Sequence, residues 1–255
     1  MKDFEKLTEI ASYVRKPIDN WEIVLSSALS DSKGLYVSFV NPLSLSIAKK
    51  DPEYINNLSK LDFVFSDGFL LANFVSRLTN EEVGRLSFDG NSLSPTIFSL
   101  LSKMLNNGER LKIAFIGGKD GIAAEASACI SEVYSIQCVY TRNGFFKDPS
   151  EYDSLVSELI ERDVDFVLVG MGAPYQEHLL SFLKESDWTG CAFTCGGYMD
   201  QIVNSGDKYY PDFINRYNLR APYRLLKEPK RLTKRYLIDY MPFYFCSILG
   251  FFKNV

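Results

Sequence analysis

Short, continuous apolar runs recur along the chain at 35–40 (LYVSFV), 62–66 (DFVFS), 112–117 (KIAFIG), 136–141 (IQCVYT), 165–170 (DFVLVG) and 191–196 (CAFTCG). Runs of this length, rich in β-branched and aromatic residues and not alternating with polar ones, predict strands buried on both faces of a parallel sheet. Caps and apolar positions at helical spacing predict helices over 121–134, 149–162 and 174–186. Strands alternating with helices indicate an α/β fold, a Rossmann-like parallel sheet flanked by helices. Beyond about residue 208 the strand pattern stops and helical, basic and aromatic sequence takes over. The chain therefore divides into an α/β domain, residues 1–208, and a C-terminal appendage, residues 209–255.

Composition sharpens this division. The 255 residues are 46% hydrophobic and 24% charged, which argues against extensive disorder. The net charge of −4 hides an asymmetry: residues 1–215 hold 19 Lys and Arg against 30 Asp and Glu, whereas residues 216–255 hold 9 against 2. An acidic body argues against nucleic acid as a partner, and an anionic partner is expected to meet the C-terminal segment. The five cysteines form no CxxC pair and no disulfide framework, and read as buried thiols in a reducing compartment. The opening MKDFEKLTEI lacks the apolar core of a signal peptide, so a cytoplasmic location is expected.

The basic end is ordered. Arg220, Arg224, Lys227, Arg231 and Lys234 or Arg235 recur every three or four residues, which sets them on one helical face unless Pro229 interrupts it. Tyr236, Tyr240, Phe243, Tyr244, Phe245, Phe251 and Phe252 follow. Cations for lipid head groups beside aromatics for the interface read as a monotopic membrane surface. A solvated helix with its aromatic face packed on the core is the alternative. The apolar stretch 241–252 has only 12 residues, short of the about 20 that a spanning helix needs.

Ligands of open α/β sheets bind beyond the carboxyl ends of the strands. Those positions here are polar and glycine-rich: Asn41; Ser66, Asp67 and Gly68; Gly117, Gly118, Lys119, Asp120 and Gly121; Asn143 and Gly144; Gly170 to Glu177; and Gly196, Gly197 and Asp200. Glycine loops opening a helix let backbone N–H groups approach a phosphate, and two of them suit a diphosphate, although each also reads as an ordinary strand-to-helix turn. Asp67 can accept a proton from a substrate hydroxyl, or cap the helix that follows. Tyr175 stands where a dinucleotide fingerprint needs its third glycine, and Lys119 lacks the spacing of a P-loop, so neither a dehydrogenase nor a P-loop NTPase is supported. Asp163-Val164-Asp165 offers a DxD pattern, but it precedes its strand and so lies at the wrong end of the sheet. His178 is the single histidine, and no metal site is expected.

Taken together, SDG after an apolar strand, IGGKDGIAAEA, NGFF, DFVLVGMGAPYQE, CGGYMD and RLLKEPKRLTKRY resemble the WecB/TagA/CpsF family of bacterial glycosyltransferases, from about Leu35 to Pro242. The resemblance implies an inverting, metal-independent enzyme without a cofactor. It would transfer a sugar, N-acetylmannosamine-type or hexose, from a UDP-sugar to a polyprenyl-diphosphate-linked saccharide in cell-surface polysaccharide synthesis. It assigns Asp67 as candidate base, Asn41 as the active-site asparagine, Arg85 as a pocket arginine and Gln176 as the glutamine of a G-x-G-x-P-x-Q-E motif. Gly117, Gly118, Gly144, Gly170, Gly172 and Asp200 join them as candidate substrate-binding residues, and Arg220, Arg224 and Arg231 would complete the site over the UDP diphosphate.

The same resemblance implies a peripheral protein on the cytoplasmic face of the inner membrane, attached to anionic lipid through its tail and able to self-associate. The sequence departs from the family pattern in places. Phe39 stands for the threonine of a T-x-N motif, Tyr175 for a lysine, Asn218-Leu219-Arg220 for Leu-Glu-Trp, and 87–92 (SFDGNS) for a glycine-aspartate version. These departures keep a second reading open, a catalytically degenerate, membrane-associated UDP-sugar-binding protein.

Overall fold

The computed structural model describes residues 2–31, 33–148, 150–205, 223, 225–226 and 229–253. The expected strands form as β1 (Leu35–Val40), β2 (Phe63–Ser66), β3 (Ile113–Gly117), β4 (Cys138–Arg142), β5 (Phe166–Gly170) and β6 (Cys191–Thr194). They build one sheet in the order β2-β1-β6-β5-β3-β4, with every pairing parallel. Before β1 lie α1 (Lys2–Tyr13) and α2 (Trp21–Ser30). Between β1 and β2 come α3 (Leu43–Lys50) and α4 (Tyr54–Lys60), and between β2 and β3 α5 (Phe69–Thr79) and α6 (Leu93–Asn106). Single helices then follow the remaining strands: α7 (Ile122–Tyr134), α8 (Ser150–Glu161), α9 (Tyr175–Glu185) and α10 (Tyr198–Ser205).

The continuous apolar runs serve two cores, because successive strand residues point to opposite faces. On one face Tyr36, Val40, Val64, Ile116, Val167 and Val169 meet the apolar stripes of α1, α3, α4, α5, α8 and α9. On the other, Val37, Phe39, Phe65, Phe115, Phe166 and Phe193 meet α2, α6, α7 and α10. This second face is aromatic: Trp21 packs its ring 5.8 Å from Phe65 and 5.7 Å from Phe193, and Phe88 lies 5.8 Å from Phe98. Edge strand β4 is only half-covered and begins at Cys138, two residues later than its apolar pattern suggests, although Ile136 just before it is buried.

Helix placement makes two clefts at the carboxyl rim. The chain leaves β1 toward the face that holds α3, whereas it leaves the adjacent β6 toward the face that holds α10. The neighbours β5 and β3 diverge in the same way, into α9 and α7. Each divergence is a topological switch point, where an open sheet binds its ligand.

After α10 the described chain resumes, apart from Tyr223, Leu225 and Leu226, at α11 (Pro229–Lys234), a π-helical turn (Arg235–Asp239) and α12 (Met241–Lys253). The helical period divides the tail. Tyr240, Phe243 and Cys246 are buried, with Phe243 5.9 Å from the Phe74 ring of α5, and Ser46 of α3 donates its hydroxyl hydrogen bond to the Asp239 carbonyl. Leu237, Ile238, Met241, Phe245 and Ile248 are exposed. The expectation that Tyr240 and Phe243 serve a membrane interface is thereby corrected: both rings are anchors onto the body, and the outward stripe is largely aliphatic. Among the described residues no helix is long and apolar enough to cross a membrane.

Candidate active site

Asn41 ends β1 in an Asx turn that starts α3: its Oδ1 accepts the Leu43 N–H at 3.0 Å and its own N–H donates to Ser44 Oγ at 3.2 Å. With Oδ1 committed, the side chain offers a ligand its Nδ2 donors. Next to it the Asp67 N–H donates to the Val40 carbonyl at 2.7 Å, tying the ends of β1 and β2 together. Gly68, at φ 141°, takes the N-cap position of α5 without a side-chain cap. Asp67 is therefore not the cap of that helix, and its carboxylate stands at the rim, 38% exposed.

Arg85 reaches this carboxylate from the loop after α5. Its Nη2 lies 3.4 Å from Asp67 Oδ1 but 2.8 Å from Asp89 Oδ2 and 2.5 Å from Ser87 Oγ. Ser87 also donates to Asp89 at 2.6 Å. Arg85 and Asp89 are the more sheltered pair, at 15% and 13% exposure. The guanidinium thus answers mainly to Asp89, and Asp67 keeps solvent and substrate access. Asp89 lies in the SFDGNS stretch, and sequence analysis assigns it no role.

The glycine loops at the β3/β5 switch point interlock. A Cβ on Gly117 would fall 2.4 Å from the Gly170 carbonyl oxygen, and one on Gly144 would fall 3.2 Å from the Gly117 Cα. The Gly118 N–H donates to the Gly170 carbonyl at 3.0 Å, and the Gly144 N–H to the Gly118 carbonyl at 2.9 Å. Loop contacts thus use the Gly118 and Gly144 amides, so these two glycines shape the floor and do not present N–H groups to a phosphate. Gly172 (φ 75°) and Gly196 (φ 53°) differ in having open space where a Cβ would point.

Gln176 and Glu177 begin α9 and are buried, at 4% and 0% exposure. Asp200 sits exposed on α10, whose Tyr198 hydroxyl and Ser94 of α6 are hydrogen-bonded at 2.7 Å. Burial pushes the thiols of Cys191, to about 12, and Cys195 upward, which removes both as nucleophiles at neutral pH. Arg220 and Arg224 lie outside the described residues, and Arg231 falls in α11 with its side chain undescribed.

At the opposite end of the sheet Asp165 accepts the Lys112 N–H at 2.8 Å and Asp163 pairs with the Lys112 ammonium at 3.0 Å, so the DxD pattern is structural. His178 lies 2.6 Å from Asp51. Among the described residues no group of three or more His, Cys, Asp or Glu is arranged to hold a metal ion.

Comparison with known proteins follows the same outline. The family model described as the glycosyl transferase WecG/TagA/CpsF family matches residues 15–254. A Shigella boydii protein, UDP-Gal:alpha-D-GlcNAc-diphosphoundecaprenol beta-1,4-galactosyltransferase, is 34% identical over 208 residues, covering 81% of this chain and 83% of the relative. A Bacillus subtilis protein, N-acetylglucosaminyldiphosphoundecaprenol N-acetyl-beta-D-mannosaminyltransferase, is 27% identical over 244 residues, covering 95% and 90%.

Proposed function

The chain belongs to the WecG/TagA/CpsF family of glycosyltransferases, and from that premise we propose that it transfers a hexose, galactose being the first candidate, from a UDP-sugar to N-acetylglucosaminyl-diphosphopolyprenol. Both relatives act on a GlcNAc-diphosphoundecaprenol acceptor, and the more similar of the two is a galactosyltransferase. Asp67 carries the reading: an accessible carboxylate at the carboxyl rim, one residue from a strand end and beside a buried guanidinium.

In the proposed step Asp67 takes the proton of the acceptor hydroxyl as that oxygen attacks the anomeric carbon. The bond from the anomeric carbon to the diphosphate breaks on the opposite face, and UDP leaves. The β linkage named for both relatives supports inversion by a single displacement. Asn41 donates to sugar or phosphate oxygens. Charge growing on the leaving diphosphate is met by the arginines of the C-terminal segment, whose planar forks hold phosphate oxygens bidentately and suit a site that works without metal. The exposed aliphatic stripe of α12 and the basic segment before it would hold the protein on the membrane that carries its acceptor, as a peripheral protein.

The test is UDP release from a panel of UDP-sugars with a synthetic GlcNAc-diphospholipid, in EDTA and with liposomes. Acceptor-dependent release from UDP-galactose is expected. UDP binding with no release from any donor would overturn transfer in favour of a sugar-nucleotide-binding protein, and a requirement for divalent cation would overturn the metal-free step.

A further inference from the structure

Beneath the rim, one acidic side chain belongs to no step above. Glu177 is fully buried, and its Oε1 accepts from Ser38 Oγ of β1 at 2.8 Å and from Gln176 Nε2 at 2.9 Å. Ser38 Oγ is also 3.0 Å from Thr194 Oγ1 at the end of β6. Glu177 Oε2 and Gln176 Oε1 are both buried and have no hydrogen-bond partner among the described residues. An ionised carboxylate would therefore leave two buried acceptors without a donor and a charge without a counter-ion, which a protein interior strongly disfavours. The neutral acid removes the buried charge and turns one of the two acceptors into a donor.

We infer that Glu177 is a positioning residue, held as the neutral acid, that joins Gln176 to Ser38 of β1 and, through Ser38, to Thr194 at the end of β6, and so fixes the elements around the sugar-nucleotide cleft against one another. The inference rests on the function proposed above. Burial pushes this carboxyl up to about 7, so the joint is intact in mildly acidic conditions and loosens as the medium turns alkaline.

Few charged groups compete with Glu177 for that role. Tyr54 of α4 donates to Ser44 Oγ at 3.0 Å, the same oxygen that accepts the Asn41 N–H, and burial pushes the Tyr54 phenol well up, so it too is neutral. His178 on α9 is engaged by Asp51. From β1 and β6 come only the neutral hydroxyls of Ser38 and Thr194, and from α8 comes Tyr152, packed on Phe182. Tyr54 and Ser44 thus form a separate polar link to Asn41 at the end of β1.

Two variants test the assignment on the full chain. Glu177→Gln retains a neutral group that donates and accepts, while Glu177→Leu removes both functions. For the parent enzyme, kcat/KM for the UDP-sugar is expected to fall as pH rises through about 7. In E177Q the alkaline fall should move up by more than one pH unit, and in E177L the donor KM should rise at least tenfold at every pH with kcat changed less than about threefold. Backbone hydrogen exchange at 38–44, 170–177 and 194–200, corrected for its intrinsic pH dependence, provides a second reading that needs no turnover. Protection should drop about tenfold between pH 6 and pH 8.5 in the parent and hold in E177Q.

Absence of turnover in the parent would overturn the proposed function, leaving exchange to decide Glu177. Identical pH dependence of exchange in parent and E177Q, or native donor KM and exchange in E177L, would overturn the positioning role.

Discussion

Asp67 directly follows β2 at the rim and Glu177 lies beneath it in the first turn of α9, and their surroundings suit the two carboxyl groups to opposite tasks. Asp67 is partly exposed, with Arg85 at 3.4 Å and that arginine held closer by Asp89, so it is free to accept a proton. Asp67→Asn should lower kcat by about 10²- to 10⁴-fold, the range that a positioned general base supplies, while UDP affinity by calorimetry stays within about threefold. An unchanged kcat would remove Asp67 from the chemistry. For Glu177, folding raises the carboxyl from 4.5 to about 7. The folded chain then binds more protons than the unfolded one between these values, so the stability from the neutral acid is full below about 4.5 and is lost as pH rises through about 7. The loss is bounded by about 3–4 kcal/mol at 1.4 kcal/mol per pH unit. Melting temperatures at pH 5 and pH 8 should separate the parent from E177Q, which lacks this slope; parallel curves would contradict the protonated state. Asp67 was legible in the sequence because it stands directly after an apolar strand. The network around Glu177 was not, since its partner Ser38 lies 139 residues away in the chain and Ser38 in turn meets Thr194, 156 residues away.

The elements repeat this contrast between local and distant causes. Six strands could be read from apolar runs, because a buried parallel strand writes its burial into consecutive residues, and the helices after β3, β4 and β5 could be read from caps and spacing. What the glycines do could not be read, since the reason lies across the sheet. Gly117 and Gly170 abut where β3 and β5 send their chains to opposite faces, and GGKDG and GMGAP seen singly look like phosphate loops. Gly117→Ala would place its methyl 2.4 Å from the Gly170 carbonyl oxygen at a φ of 153°, and should cost about 2–4 kcal/mol of stability by denaturant midpoint. Gly172→Ala, at φ 75° with nothing near its Cβ, should cost only about 1–2 kcal/mol. Equal losses at the two sites would mean that the loop–loop contact carries no energy of its own.

For the molecule as a whole, the proposed function gives the acidic body and the basic tail of the sequence separate tasks, the site and its means of reaching a lipid-borne acceptor. Among the described residues no helix is long and apolar enough to cross a membrane, so the proposed reaction on a lipid-borne acceptor calls for a surface that meets the membrane from one side. Helix α12 suits that task because its two faces are separately committed. Phe243 and Cys246 dock on the core beside Phe74, so Phe243→Ala should cost about 3–5 kcal/mol and lower the melting temperature without acting on lipid directly. Phe245 and Ile248, at 61% and 56% exposure, share the outward stripe with Met241 and Ile238. Replacing both with aspartate should leave the melting temperature nearly unchanged, because exposed positions away from the core contribute little to folding. Flotation with anionic vesicles should nevertheless be lost, since the change removes apolar area from the interface and sets negative charge against negative lipid. Turnover should then fall on a polyprenyl acceptor in vesicles and persist on a short-chain acceptor in solution. Equal loss on both acceptors would place the stripe in the active site itself, and equal retention would leave α12 as a structural clasp on α1, α3 and α5.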